Sequence, residues 1–165
     1  MEYSGHRDVV RSVQMVDGEF CSIGDFVSVG NDGLLKLWRL SGKEMLSVEA
    51  HSSFIYSVCS SKSFIFTAGE DQCIKVWTRK DHDLECVQTI DIPATSIWNI
   101  IVSPLEQIIC GTSDGRIYVF TSTPSKEPEM LAEFEKRAAA SKAERFLEKV
   151  PCRDPSALDK KGALY

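Results

Sequence analysis

A nine-residue figure recurs three times in this chain and restricts its fold more than any other feature. It reads GNDGLLKLW at residues 30–38, GEDQCIKVW at 69–77 and TSDGRIYVF at 112–120. Each copy opens on a polar turn and runs into an apolar/polar alternation that ends on an aromatic. The turn acid stands six residues before that aromatic in every copy: Asp32/Trp38, Asp71/Trp77 and Asp114/Phe120. The aromatics are 39 and then 43 residues apart. A self-similar unit near forty residues, carrying the period-2 alternation of a half-buried strand, predicts the blades of a β-propeller.

Three units follow in order, over residues 5–48, 50–90 and 93–122, within a repeat region of 1–122. The first holds expected strands at 9–15 and, after Trp38 and a Ser41-Gly42 turn, at 44–48. Between them lie two versions of G-[E/D]-F-x-S-[I/V]-G, at 18–24 and 24–30. His6 to Asp32 spans 26 residues against 20 from His51 to Asp71, so a six-residue tandem insertion accounts for the excess. Six is even, so strand facing survives whichever copy pairs. Ser28 lies four residues before Asp32, as Thr67 does before Asp71, which favours the second copy as the strand. The second unit predicts strands at 55–59, 64–68, 73–77 and 85–90, the last reached through a polar loop at 79–83. The third predicts strands near 97–102, 107–111 and 116–121 with no outer strand after them, leaving an exposed edge.

Residues 123–165 change character. TSTPSKEP reads as loop by its Pro and Ser content. Ser125 is a candidate cap for a helix over about 129–149, broken near Ser141, with Met130, Phe134 and Ala138 at four-residue spacing. Its apolar stripe is thin, and a lone helix of that kind is marginal without something to dock on. The favoured reading is a solvated linker; the alternative has the helix, with Phe134 and Phe146, docking on the propeller or a partner. The last stretch, VPCRDPSALDKKGALY, is expected to be disordered. The fold class is therefore all-β with a helical tail: three blades of a partial propeller, then a charged helix.

Charge separates the two parts. Residues 125–165 hold nine Lys/Arg and eight Asp/Glu, while 1–124 hold ten against sixteen, a net of −6. No basic patch is present, which argues against nucleic acid as a partner. No apolar run approaches the roughly 18–20 residues of a membrane span, so no membrane association is expected. The N-terminus lacks the basic and apolar regions of a signal peptide. The six cysteines form no C-x-x-C pair and read as free thiols in a reducing compartment, cytoplasmic and nuclear.

Two sets recur in the same order: His6/Ser28/Asp32/Trp38 and His51/Thr67/Asp71/Trp77. A turn carboxylate can bind backbone N–H groups and histidine, the histidine can meet the hydroxyl, and the hydroxyl the indole N–H. Such a chain satisfies buried polar groups and pins loop to strand. Its duplication argues for structure over His-Ser-Asp catalysis. In the third unit Pro93, Cys110 and Phe120 replace the other members and only Asp114 remains, so packing is expected to hold that blade. No phosphate loop, H-E-x-x-H or nucleophile elbow occurs, and His82 in KDHD reads as a solvated loop residue. No catalytic, cofactor or metal site is expected.

The histidine, hydroxyl, aspartate and tryptophan pattern resembles WD-repeat propellers. More closely, HRDVVRSV, NDGLLKLW, HSSFIYSV, GEDQCIKVW, IPATSIWNI and SDGRIYVF together look like the last three repeats of the phospholipase A-2-activating protein family. That family shares the unusual third repeat, with its P-A-x-S-I-W segment and phenylalanine ending. The similarity covers about residues 5–122 and, more weakly, 128–165, where EMLAEFEKRAA is similar to the helix after the family's propeller. The resemblance implies a normally seven-bladed propeller that binds ubiquitin, within a cofactor of the segregase ATPase valosin-containing protein. That ATPase is engaged through a C-terminal domain that this chain does not resemble. On this reading the chain covers blades five to seven and a linker. Truncation, an incomplete gene model and completion of the ring by a partner all fit.

The function implied is that of a ubiquitin-binding module in ubiquitin-dependent degradation and ubiquitin homeostasis. The alternative is a generic interaction scaffold or a non-functional propeller fragment. Binding is expected where the aspartate turns meet the starts of the inner strands. Candidate contacts are Arg11, Tyr56 and Trp98, with Asn31, Glu70 and Ser113 just before the turn acids. The competing reading has Tyr56 and Trp98 merely lining a central channel. Exposed terminal blade faces predict self-association or aggregation.

Overall fold

The computed structural model describes residues 2–16, 25–81, 83–121 and 128–148. The first copy of the duplicated figure, Cys21, His82, Ser125, Cys152 and the C-terminal stretch lie outside the described residues, as does the side chain of Phe146.

Eleven described strands form three antiparallel sheets, each in simple sequential order. The first holds β1 (Val10–Met15), β2 (Phe26–Gly30), β3 (Leu34–Trp38) and β4 (Glu44–Glu49). The second holds β5 (Ile55–Ser60), β6 (Ile65–Gly69), β7 (Cys73–Lys80) and β8 (Asp83–Asp91). The third holds only β9 (Ile97–Val102), β10 (Ile108–Thr112) and β11 (Ile117–Phe120), with β11 at its edge. The sheets form an open partial propeller rather than a closed ring. The second copy of the duplicated figure supplies β2, so Ser28 pairs with Val13 and Lys36.

Period-2 alternation gives every sheet two apolar faces, and burial follows from stacking them. Val27, Val29, Leu35 and Leu37 of the first sheet pack with Ile55, Val58, Ile65 and Trp77 of the second. On its other face the second sheet sets Phe66, Ala68, Ile74 and Val76 against Ile97, Ile100, Ile108 and Cys110 of the third. Burying each of the Val, Leu, Ile and Phe side chains contributes about 1.5–3 kcal/mol. The middle sheet is thus covered on both faces.

Two expected features differ from what forms. The loop expected at 79–83 is mostly strand: pairing of β7 with β8 runs out to Lys80 and Asp83, leaving a tight turn in which Asp81 takes a φ of 54°. Asp is among the residues that tolerate the left-handed region. The tail forms one continuous helix, α1 (Pro128–Glu148), with no break at Ser141. Nor is it a solvated linker. Phe134 sits edge-on to Tyr118 and Phe120, with ring centroids 5.6 and 5.8 Å apart, and Ala138 is buried. Higher on the helix the Gln72 amide donates to the Ser141 hydroxyl, and Lys142 pairs with Asp91. The thin apolar stripe suffices because the docking surface is the aromatic pair that the third sheet turns inward.

Turn glycines set how closely segments approach. The N–H groups of Asn31 and Glu70 donate to the carbonyls of Val9 and Phe54, both at 2.9 Å. A Cβ on Gly69 would stand 2.0 Å from the Phe54 carbonyl oxygen, so only glycine fits. Gly111 has nothing within 4 Å of the same position. Gly69→Ala is expected to lower unfolding free energy by about 1–3 kcal/mol. Gly111→Ala should stay within about 0.5 kcal/mol. Urea denaturation of the two variants checks the contrast.

Candidate functional site

The aspartate turns organise the end of the sheets where the candidate residues lie. Asp32 and Asp71 each accept the backbone N–H two residues on, at 3.2 and 3.3 Å, the Asx geometry that fixes a turn locally. Each carboxylate also takes histidine Nδ1, at 2.9 Å for His6 and 2.8 Å for His51. The opposite ring nitrogens lie 2.7 Å from Ser28 Oγ and Thr67 Oγ1. Trp38 and Trp77 then donate their indole N–H to those hydroxyls at 2.7 and 2.9 Å. With a neutral imidazole every proton has a place. Indole donates to hydroxyl, hydroxyl to Nε2, and Nδ1–H to carboxylate.

The third turn is built differently. The Thr112 hydroxyl donates to Asp114, and Arg116 Nη1 donates to its other oxygen at 2.8 Å. Cys110, in the position of Ser28 and Thr67, is buried, and burial pushes its thiol up to about 11. Cys59 and Cys73 are pushed up to about 12 for the same reason. These thiols are protonated near neutrality and are poor nucleophiles. Among the described residues no group of three or more side chains could hold a metal ion. No described helix is long and apolar enough to cross a membrane.

Arg11, Tyr56 and Trp98 share a feature that spacing alone does not reveal. The register of each inner strand skips one residue. Val10 pairs with Gly30 and Ser12 with Val29; Ile55 pairs with Gly69 and Ser57 with Ala68; Ile97 pairs with Thr112 and Asn99 with Gly111. The skipped residues are Arg11, Tyr56 and Trp98. A bulge leaves its extra residue outside the ladder and re-aims the side chain. Here three bulges bring their side chains into one row. Tyr56 and Trp98 stack with centroids 4.7 Å apart, and the Arg11 guanidinium lies 5.8 Å from the Tyr56 centroid. Trp98 remains 55% exposed.

The three residues before the turn acids do not all join this row. Asn31 does, accepting from Arg11 Nε at 2.7 Å and fixing the guanidinium. Glu70 accepts from the Ser53 hydroxyl, in the loop before β5. Ser113 lies 2.6 Å from the Thr95 hydroxyl and accepts the Ser96 N–H at 3.0 Å, tying the third blade's own loop. Sequence reasoning passed over Phe54, which is edge-on to Tyr56 at 6.5 Å. The only available signal was its place before the strand, matching Val9 in the first unit.

Burial acts to raise the Asp32 and Asp71 carboxyls, but hydrogen bonds outweigh it and leave both below the usual carboxylate value. For Asp32 these are the Arg7 N–H and the His6 ring; for Asp71, chiefly the His51 ring. A carboxyl depressed on folding stabilises fully above the unfolded value, 3.8, and loses that contribution as pH falls through its folded value. Asp71→Asn should therefore lower the urea midpoint at neutral pH and flatten its decline below about pH 4 relative to the parent chain. Asp32 and Asp114 would keep some slope. Thr67→Val leaves the Trp77 N–H and His51 Nε2 without this partner, a loss of about 1–3 kcal/mol by the same measurement.

The sequence matches the WD domain, G-beta repeat model over residues 1–39 and 42–78. It is 36% identical over 139 residues to the ubiquitin homeostasis protein lub1 of Schizosaccharomyces pombe, covering 81% of this chain and 18% of that protein. It is 32% identical over 135 residues to the ubiquitin fusion degradation protein 3 homolog of Caenorhabditis elegans, covering 77% of this chain and 15% of that protein. The chain thus spans less than a fifth of these relatives. Among solved structures it is similar to the WD40 beta propeller domain of Doa1, with a TM-score of 0.64 and 33% identity. That match covers 72% of this chain and 38% of the solved one. Repeat pattern, fold and relatives agree, and the chain is a WD-repeat member of the phospholipase A-2-activating protein family.

Proposed function

We propose that this chain is a ubiquitin-binding WD-repeat module of a ubiquitin-homeostasis adaptor, and that Arg11, Tyr56 and Trp98 are its contact row. One observation carries the choice of surface: three successive β-bulges bring a cation and two aromatics into a stacked line. Aromatic and arginine side chains held rigid in advance lose little entropy on binding and supply most of the energy of protein interfaces. The relatives, named for ubiquitin homeostasis and ubiquitin fusion degradation, support ubiquitin as the protein recognised. A binding role also suits the turns, whose titratable groups are tied into structural hydrogen bonds. The segregase ATPase is assigned no surface on these sheets.

Titration of isotopically labelled ubiquitin with the chain, followed by NMR, is the test. Saturable shifts confined to one ubiquitin surface are expected, and Tyr56→Ala or Trp98→Ala should weaken binding by about tenfold or more. Circular dichroism of both variants should match the parent. Absent shifts would remove ubiquitin as partner, and row variants that bind like the parent would remove this surface.

A further inference from the structure

Between α1 and the third blade lies an open cavity of about 370 Å³, at the end of the sheets that carries the aspartate turns. Three short segments wall it. They are the loop entering the third blade from Pro93 to Thr95, the β10–β11 turn with Ser113, Asp114 and Arg116, and one turn of α1 from Arg137 to Ser141. None of these walls is the outer edge of β11. The helix lies on the face that the third sheet turns to the second, where Phe134 packs into the core between the two. The cavity is thus set by contacts among the described residues, whatever pairs with that edge.

Its walls are held in advance. Ser113 lies 2.6 Å from the Thr95 hydroxyl and accepts the Ser96 N–H at 3.0 Å. On the opposite side the Gln72 amide holds Ser141 at 3.4 Å, and Lys142 is paired with Asp91. The charges inside do not balance. Asp114 is already occupied at both oxygens, by the Thr112 hydroxyl and, at 2.8 Å, by Arg116 Nη1. Arg137 is half-buried and forms no hydrogen bond or ion pair among the described residues. Two guanidiniums against one carboxylate leave the cavity with one unmatched positive charge, within a chain that is acidic overall.

A guanidinium presents a planar fork of N–H donors that matches a carboxylate with two parallel hydrogen bonds. A carboxylate carries the single negative charge that the cavity lacks, whereas a phosphate monoester brings about −1.5 to −2 and would leave it negative. The apolar surfaces of Pro93, Ala94 and Ala140 suit the hydrocarbon stem bearing such a group. We propose that the cavity binds a carboxylate, paired with Arg137, while Arg116 stays on Asp114 and adds its remaining donors. The carboxylate belongs to a free organic acid or to an acidic side chain of a protein seated on the neighbouring row. That row is close, because Ser113 holds the N–H of Ser96, two residues before Trp98.

NMR of the full chain with isotopically labelled arginine tests this, with sodium acetate as probe and sodium chloride at equal ionic strength as control. Acetate should shift the Arg137 Nε–H signal saturably, with a Kd of about 1–10 mM, and chloride should not. Inorganic phosphate should bind no more tightly than acetate. Arg137→Gln keeps helix propensity, so circular dichroism should match the parent, while the acetate response at Arg116 should disappear. The ubiquitin titration then separates the two sources. A loss of ubiquitin affinity of about fivefold or more in Arg137→Gln assigns the carboxylate to the partner's side chain. Unchanged affinity, or no ubiquitin binding at all, assigns it to a free acid. Trp98→Ala should keep the acetate response, so failure of the ubiquitin row can be told from failure of this site. An Arg137 signal that acetate moves no more than chloride does, tighter binding of phosphate, or an Arg116 response that survives Arg137→Gln would each overturn the proposal.

Discussion

The first two blades depend on a single relay, in which an indole N–H meets a hydroxyl, the hydroxyl an imidazole, and the imidazole a turn carboxylate. Trp77, Thr67, His51 and Asp71 come from β7, β6, the loop entering the blade and the β6–β7 turn, so one chain of bonds joins four segments. Indole, hydroxyl and imidazole are buried, where an unpaired polar group costs far more than a made bond returns. The relay therefore acts mainly by exclusion. Other registers of loop on strand would orphan several groups together. Turn position, and with it the start of each inner strand, follows from that restriction.

The third blade lacks the relay and shows what substitutes for it. Cys110 fills the hydroxyl position as a small apolar group and Phe120 ends β11 without an N–H to satisfy. Removing both partners of a buried bond together is far cheaper than removing one. What the sheet loses in polar restraint it regains through α1, whose Phe134 meets Tyr118 and Phe120. The Lys142–Asp91 and Gln72–Ser141 contacts carry the helix on to the second blade. A helix buttresses a sheet that has only three described strands.

Sequence spacing carried the strand order because the turn acid and the terminal aromatic bracket a strand of fixed length. The six-residue excess before Asp32 was interpretable for the same reason: only Ser28 keeps the four-residue offset, and β2 forms there. Residues in positions that repeat can be read; residues that matter through a neighbour cannot. The docking of α1 depends on Tyr118 and Phe120 facing inward in a sheet of three described strands, which no periodicity within the helix encodes. The β7–β8 pairing out to Lys80 and Asp83 likewise crosses polar residues that composition assigns to a loop.

The bulges are the clearest case, because they join the two scales of the molecule. An inserted residue is invisible in a one-dimensional pattern; it exists only in the pairing of one strand with the next. Yet the same insertion has two consequences. It puts Arg11, Tyr56 and Trp98 outside their ladders, where neighbouring inner strands bring them into a stack. It also resets the facing of everything after it, so that Ser12 and Ser57 point across to the adjacent sheet, where Ser57 also donates to the Asn99 amide oxygen. Exposed row and inter-sheet bond are thus one backbone event seen from two sides. A change that straightened a bulge would disturb the proposed contact surface and the stacking of blades together.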